Sequence, residues 1–266
     1  MTDWLATCRA AARDVQAVLE RLPTRAEREP VVGAGVGGDD TTAIDAEAER
    51  VVVARLDLTG ERFNLVSEEL GHRLSAAGDP YVVVDPIDGS VNAKRGIPFF
   101  ALSIAVADGP TMGDVHFGYV YDFGSGEEWT AVRGQGAFLD GEALAPPAPG
   151  PRIELLSLEA TKTELVARHA PAFVDVAYRV RVMGSLALSL CHLAAGRVDA
   201  VCSLRPARSV DIAAAQLLVA ESGFVCDLPD AGPLSAAPLD LEGRSRIVAA
   251  GTAGHYEQVV SALGSL

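Results

Sequence analysis

The string Asp85-Pro86-Ile87-Asp88-Gly89-Ser90 sets two carboxylates close together behind a short apolar run, Tyr81 to Val84. Pro86 fixes the turn, and Gly89 lets the following backbone amides approach a ligand closely. One tight turn brings both acids to one point, an arrangement that costs stability unless something positive sits between them. Convergent carboxylate and carbonyl oxygens suit hard cations such as Mg²⁺ or Mn²⁺. More acids punctuate element ends: Glu68 and Glu69 after FNLVS, Asp211 at the start of a helix, and Asp39 and Asp45 flanking the start of an early helix. Each alone has a milder reading. Paired acids after a strand form solvated turns, an Asp at a helix start complements the dipole, and a glycine run is a linker.

The elements that must position these groups follow from periodicity. Asp3 to Leu22 carries apolar residues at helical spacing. VVGAGVGGDD, residues 31–40, holds glycines at 33, 35, 37 and 38 and reads as a flexible loop. Thr42 precedes Asp45 at capping-box spacing, so a helix runs from about Ala43 to Leu56. FNLVS and YVVVD read as short strands. FFALSIAVAD, DVHFGYVYD and EEWTAV read as further strands, with a hairpin near LDGEA. The proline cluster from Ala145 to Pro151 is the expected boundary, dividing 1–147 from 148–266. Beyond it strands and helices alternate: strands at Ile153–Leu158, Tyr178–Met183, Val198–Ser203 and Ile247–Ala250, helices at Lys162–Arg168, Leu186–Ala195, Val210–Ser222 and the C-terminus. The first part therefore reads as α+β and the second as α/β.

Composition narrows the chemistry. The chain has 266 residues, 49% of them hydrophobic and 22% charged, a globular mixture. No apolar run reaches the roughly 18 residues that span a bilayer. The first residues carry acids early and lack the basic-then-apolar layout of a signal peptide, so a cytoplasmic protein is expected. A net charge of −14 argues against a nucleic-acid partner. Lys94 and Lys162 are the only lysines. That acidic, lysine-poor surface has two readings, a high-salt habitat or a genome rich in arginine and alanine codons. Cys8, Cys191, Cys202 and Cys226 show no C-x-x-C spacing and read as buried thiols. The five histidines show no zinc-binding spacing, and no G-x-S-x-G motif appears.

Together the acidic strings resemble the inositol monophosphatase and fructose-1,6-bisphosphatase superfamily. Asp85 to Asn92 meets the first signature, D-P-[IL]-D-G-[ST]-x-N. Glu68–Glu69 meets the preceding acid pair, and Asp39, Thr42 and Asp45 meet the early D-x-x-T-x-x-D string. VDIAAA, Val210 to Ala215, meets the second signature with valine in place of tryptophan. The strings VSEELG, GSVN followed by GIPFF, RVRVMGSLALSLC and LRPARSVDIAAA resemble the archaeal-type branch with both inositol-1-phosphatase and fructose-1,6-bisphosphatase activity.

The resemblance implies a layered αβαβα fold and a phosphomonoester hydrolase for sugar or inositol phosphates, cytoplasmic, homodimeric and lithium-sensitive, using two to three Mg²⁺ ions with Mn²⁺ as a substitute. It implies that Glu68, Asp85 and the Ile87 carbonyl hold one ion and that Asp85, Asp88 and Asp211 hold a second. Ser90 with Asp45 would orient the attacking water, and Asp39 would enter on loop closure. Asp88 and the amides of Gly89 and Ser90 would meet the substrate. Gly184 and Ser185 fall between an expected strand and helix, where a sugar ring could rest against the helix start, and Arg181 could reach the substrate from the same strand. Inositol-specific animal enzymes carry a glutamate where this chain has Leu204. Arg205 and Arg208 nearby suit a second phosphate, although surface ion pairing is the other reading of Arg181 and Arg208. Two rivals stand beside this: a 3′-phosphoadenosine 5′-phosphate phosphatase and a non-catalytic sugar-phosphate-binding relative. The segment Ala93-Lys94-Arg95-Gly96 has no assigned role.

Overall fold

The structure, a computed structural model, describes residues 2–35, 40–76, 78–159 and 162–264. The elements run α1 (Trp4–Arg21), α2 (Arg25–Arg28), β1 (Val31–Ala34), β2 (Asp40–Thr42), α3 (Ala43–Asp57), β3 (Asn64–Ser67), β4 (Gly71–Arg73), β5 (Tyr81–Asp88) and α4 (Ser90–Arg95). Then come β6 (Ala101–Ala107), β7 (Val115–Asp122), β8 (Glu128–Val132), β9 (Gly136–Leu139), β10 (Glu142–Ala143) and β11 (Ile153–Glu159). The remainder is α5 (Thr163–His169), β12 (Ala177–Arg181), α6 (Leu186–Ala194), β13 (Ala200–Ser203), α7 (Ser209–Glu221), β14 (Val225–Asp227), β15 (Val248–Ala250) and α8 (Ala253–Gly264).

These form five layers. Helix α1 starts on Asp3, whose carboxylate accepts the Ala6 N–H at 2.9 Å. Its buried stripe of Cys8, Ala11, Ala12, Val15 and Val18 recurs at helical spacing. It packs with Ile44, Ala48, Val52 and Leu56 of α3 over one face of an eight-stranded sheet ordered β10-β9-β8-β7-β6-β5-β3-β4. Only the β3–β5 pair in that sheet is parallel. Helices α6 and α7 cover its other face and separate it from a five-stranded sheet ordered β12-β11-β13-β15-β14. Helices α5 and α8 belong to the outer layer beyond that second sheet.

A strand clad on both faces needs apolar residues at successive positions rather than alternate ones. In β5, Val82 and Val84 face the α1–α3 side and Val83 faces the α6–α7 side. Helix α7 is likewise buried nearly all round, Val210 and Ile212 to Val219 all being buried. Small residues let it approach the first sheet: a Cβ on Gly118 of β7 would lie 2.6 Å from the Ala214 carbonyl oxygen.

Several sequence expectations are corrected. Residues 31–34 are not loop: they form β1, paired antiparallel with β2. Strand β5 does not end at Val84 or Asp85 but continues through Asp88, with a bulge between Asp85 and Asp88 where it pairs with β6. Pro86 has no N–H for a ladder, and a bulge is where a strand tolerates that. Helix α2 and strands β4 and β14 lie in stretches where no element was expected. Ala93 gains a role, because its carbonyl accepts from the Arg28 guanidinium at 2.8 Å and ties α4 to α2.

Candidate metal centre

The acids gather where β3, β5 and α7 end or begin. Asp85 is 2% exposed, and one of its oxygens accepts the Ile87 N–H at 3.0 Å. Burial drives its pKa well up, and the charges of Glu68, Asp88 and Asp211 push the same way against Arg208. Burial also raises Glu68, with Asp211 adding to it and Arg208 opposing. Asp88 is pushed up to about 7, first by burial, although the Ser185 hydroxyl and the Ala187 N–H both donate to its Oδ2. Burial and mutual repulsion raise these carboxyls, and at Glu68 and Asp85 the Arg208 guanidinium opposes the rise.

A hard cation fits this set. The donors are all oxygen, and among the described residues Asp45 Oδ1 is buried without a partner, while Asp45 Oδ2 takes the N–H and hydroxyl of Thr42 in the expected capping box. Among the described residues no three acids already stand as a ligand set. Instead the Arg208 guanidinium lies between Glu68 and Asp211, 2.7 Å from each.

The remaining candidates are distributed around this cluster. Ser90 starts α4 and donates to the Ile87 carbonyl at 3.1 Å. No hydrogen bond joins it to Asp45 among the described residues. Gly89 caps α4 with φ +95°. Asn92 donates to the carbonyls of Phe99 and Met183, both at 2.8 Å, and so sews α4 to the turn before α6. That turn carries Gly184 and Ser185, and Ser185 also accepts the Leu188 N–H as the cap of α6. A cavity of 730 Å³ opens over Asp88, Gly184, Arg205, Arg208 and Asp211. Arg181 does not line it: that guanidinium is exposed on the edge strand β12 and donates to the adjacent Val180 carbonyl. Asp39 lies outside the described residues.

Three supporting residues were missed. Glu49 of α3, 3% exposed, accepts from the Ser67 hydroxyl and from the N–H groups of Glu69 and Leu70, and so shapes the turn bearing Glu68. Glu159 ends β11 and accepts from the Gly184 N–H at 2.9 Å, the Ser189 hydroxyl at 2.7 Å and the Ser157 hydroxyl at 3.1 Å. Lys162 lines the cavity. Glu159 gave one faint signal, an acid closing a largely apolar strand; Glu49 shares the buried face of α3 with Asp45 and gave none. Glu159→Leu is expected to lose about 2–4 kcal/mol of stability by orphaning those donors and to lower kcat about tenfold by loosening the turn that holds Asp88. Glu159→Gln should keep most of both, as thermal melts and steady-state kinetics would show.

A model of the inositol monophosphatase family matches residues 4–265. A fructose-1,6-bisphosphatase/inositol-1-monophosphatase of Methanothermobacter thermautotrophicus is 34% identical over 271 residues, covering 98% of this chain and 96% of that protein. One of the same description from Archaeoglobus fulgidus is 34% identical over 255 residues, 93% of each. The crystal structure of an inositol monophosphatase–fructose 1,6-bisphosphatase superposes with a TM-score of 0.86 at 27% identity, covering 98% of this chain and 100% of that one.

Proposed function

We propose, from the premise that the chain belongs to the inositol monophosphatase family, that it is a Mg²⁺-dependent hydrolase of small sugar or inositol phosphomonoesters. The observation that carries this is the cluster of Glu68, Asp85, Asp88 and Asp211, two of which, Asp88 and Asp211, line a cavity together with Arg205 and Lys162. Glu68, Asp85, Asp88, Asp211 and the Ile87 carbonyl are the groups that would hold two or three Mg²⁺ ions, or Mn²⁺ in their place. When bound, such ions neutralise phosphate oxygens and lower the pKa of a water.

This chain's own residues supply the positioning. Asp45, whose Oδ1 has no partner among the described residues, and Ser90 orient the attacking water. The N–H groups of Gly89 and Ser90 hold the phosphate at the start of α4. Gly184 and Ser185 form the floor for the sugar. Water adds to phosphorus, the ester oxygen leaves with a proton, and inorganic phosphate and an alcohol result. Most of the catalytic effect is charge neutralisation and alignment.

Leu204 is 4% exposed and packs in the core of the second sheet, so it offers no polar group to an inositol ring. Arg205 and Lys162 suit a second phosphate, which favours fructose-1,6-bisphosphate among substrates. A panel of inositol-1-phosphate, fructose-1,6-bisphosphate and 3′-phosphoadenosine 5′-phosphate with Mg²⁺ tests the assignment. Arg205→Ala is expected to cut kcat/KM for fructose-1,6-bisphosphate about tenfold more than for inositol-1-phosphate, the loss of one charged contact. Equal losses would remove the bisphosphate assignment.

Lithium sensitivity and a cytoplasmic setting complete the proposal, the latter supported by four free cysteines. Among the described residues no helix is long and apolar enough to cross a membrane. Homodimer formation is supported by the edge of the second sheet, where Val174, Tyr178, Val180 and Val182 are exposed along and beside β12.

A further inference from the structure

We propose that Arg208 is a built-in counter-cation, which holds Glu68 and Asp211 in the metal-free protein and must leave them when a divalent ion binds. The inference rests on the reading of these acids as metal ligands. Arg208 is the residue before α7, and its side chain folds back on the helix start. One terminal nitrogen lies 2.7 Å from Glu68 Oε1 and 2.7 Å from Asp211 Oδ1. Its Nε and backbone N–H reach Asp211 Oδ2 at 3.2 and 2.7 Å. Both oxygens of Asp211 and one of Glu68 are therefore taken by a single residue. All three side chains are mostly shielded, at 18%, 17% and 16% exposure, so the contacts are weakly screened.

A divalent ion on Asp211 needs oxygens that the guanidinium now uses, and two cations at that spacing repel. Metal binding therefore releases the guanidinium. The released group has a destination, because Arg208 lines the same 730 Å³ cavity as Arg205 and Lys162. There its planar fork matches two oxygens of a phosphate. Arg208 thus has two alternative partners, the acids or an anion. An anion that draws it away frees Asp211 and Glu68, so anion and metal bind each other's state preferentially and by the same factor.

The test is direct Mn²⁺ binding, followed by the EPR signal of free Mn²⁺, with and without inorganic phosphate. Arg208→Gln is expected to bind Mn²⁺ about tenfold more tightly than the wild type in the absence of phosphate, a coupling of ordinary size. Phosphate should tighten Mn²⁺ binding several-fold in the wild type, and much less in Arg208→Gln. The metal-free variant should melt at lower temperature, having lost its counter-cation. Arg208→Lys, which keeps the charge but not the fork, should fall between the two and gives a second reading if Arg208→Gln folds poorly. A folded Arg208→Gln that binds Mn²⁺ no more tightly than the wild type overturns the exchange while leaving the metal site standing. A wild type that binds no Mn²⁺ overturns the site itself.

Discussion

Asp85→Asn is expected to abolish Mg²⁺-dependent hydrolysis while making the metal-free protein more stable. Asp85 is buried beside Glu68, Asp88 and Asp211, and each adds to the cost of its negative charge. Asparagine keeps the shape and can still accept the Ile87 N–H, but it removes one charge and one carboxylate from the proposed ligand set. A loss of at least ~10³-fold in kcat/KM, about 4 kcal/mol of transition-state stabilisation, should result. A variant that hydrolyses at the wild-type rate would refute the site.

The stability gain follows from proton linkage. Asp88 holds its proton up to about 7 in the folded chain, whereas an unfolded Asp releases it near 4. Between those values the native state binds more protons, so chelator-treated protein should lose stability as pH rises. Asp85 and Glu68 are shifted in the same direction. Differential scanning calorimetry in chelator should show the melting temperature falling from pH 4 toward 7, with a shallower slope in Asp85→Asn. Added Mg²⁺ should flatten the wild-type slope, because a ligand of the native state stabilises it by mass action.

Gly89→Ala should damage both the fold and the site. Gly89 has φ +95°, which side chains rarely tolerate, and a Cβ there would lie 3.0 Å from the Gly184 carbonyl oxygen and 3.1 Å from that of Phe99. Backbone on both sides leaves nothing flexible to yield. Left-handed strain of about 1–2 kcal/mol and overpacking of about 1–3 kcal/mol combine to a loss near ~3 kcal/mol. The displaced residue would also separate Asp88 from Ser185 and Ala187. Activity should then fall at least ~10²-fold, as misplacement of about an ångström does. Urea titration and kinetics on one preparation would check both. An unchanged midpoint would mean that the turn is more compliant than its contacts indicate.

Much of the fold was legible because the long elements follow simple rules. The stripe of α1, the Thr42–Asp45 cap and the two-sided apolar run of β5 each announce themselves locally. Short elements did not. Strand β1 is only four residues, VVGA, at the start of a glycine-rich stretch, and is defined by β2 across from it. Strand β14 consists of Val225–Asp227 and is held by β15. For the site, the acids and Ser185 could be nominated from motifs, and the structure gathers Asp85, Asp88, Asp211 and Glu68. What no motif disclosed is who supports them. Glu159 lies 25 positions from Gly184, and Glu49 acts on a turn 20 positions away. Such partners are selected by the packing of separate sheets, which a local pattern does not encode. Arg181 shows the converse: its proximity to Gly184 in sequence suggested the cavity, but an edge strand carries it outward.

The seam between α7 and the first sheet has a consequence for how this sequence can change over time. Gly118 meets the Ala214 main chain rather than its side chain. Ordinary core neighbours can drift by compensation, one shrinking as the other grows. Here the partner has nothing to shrink, so no second substitution rescues a larger residue at Gly118. Asp211 stands one turn before Ala214 on the same helix. A lineage that lost this glycine would have to shift the helix, and with it a candidate ligand.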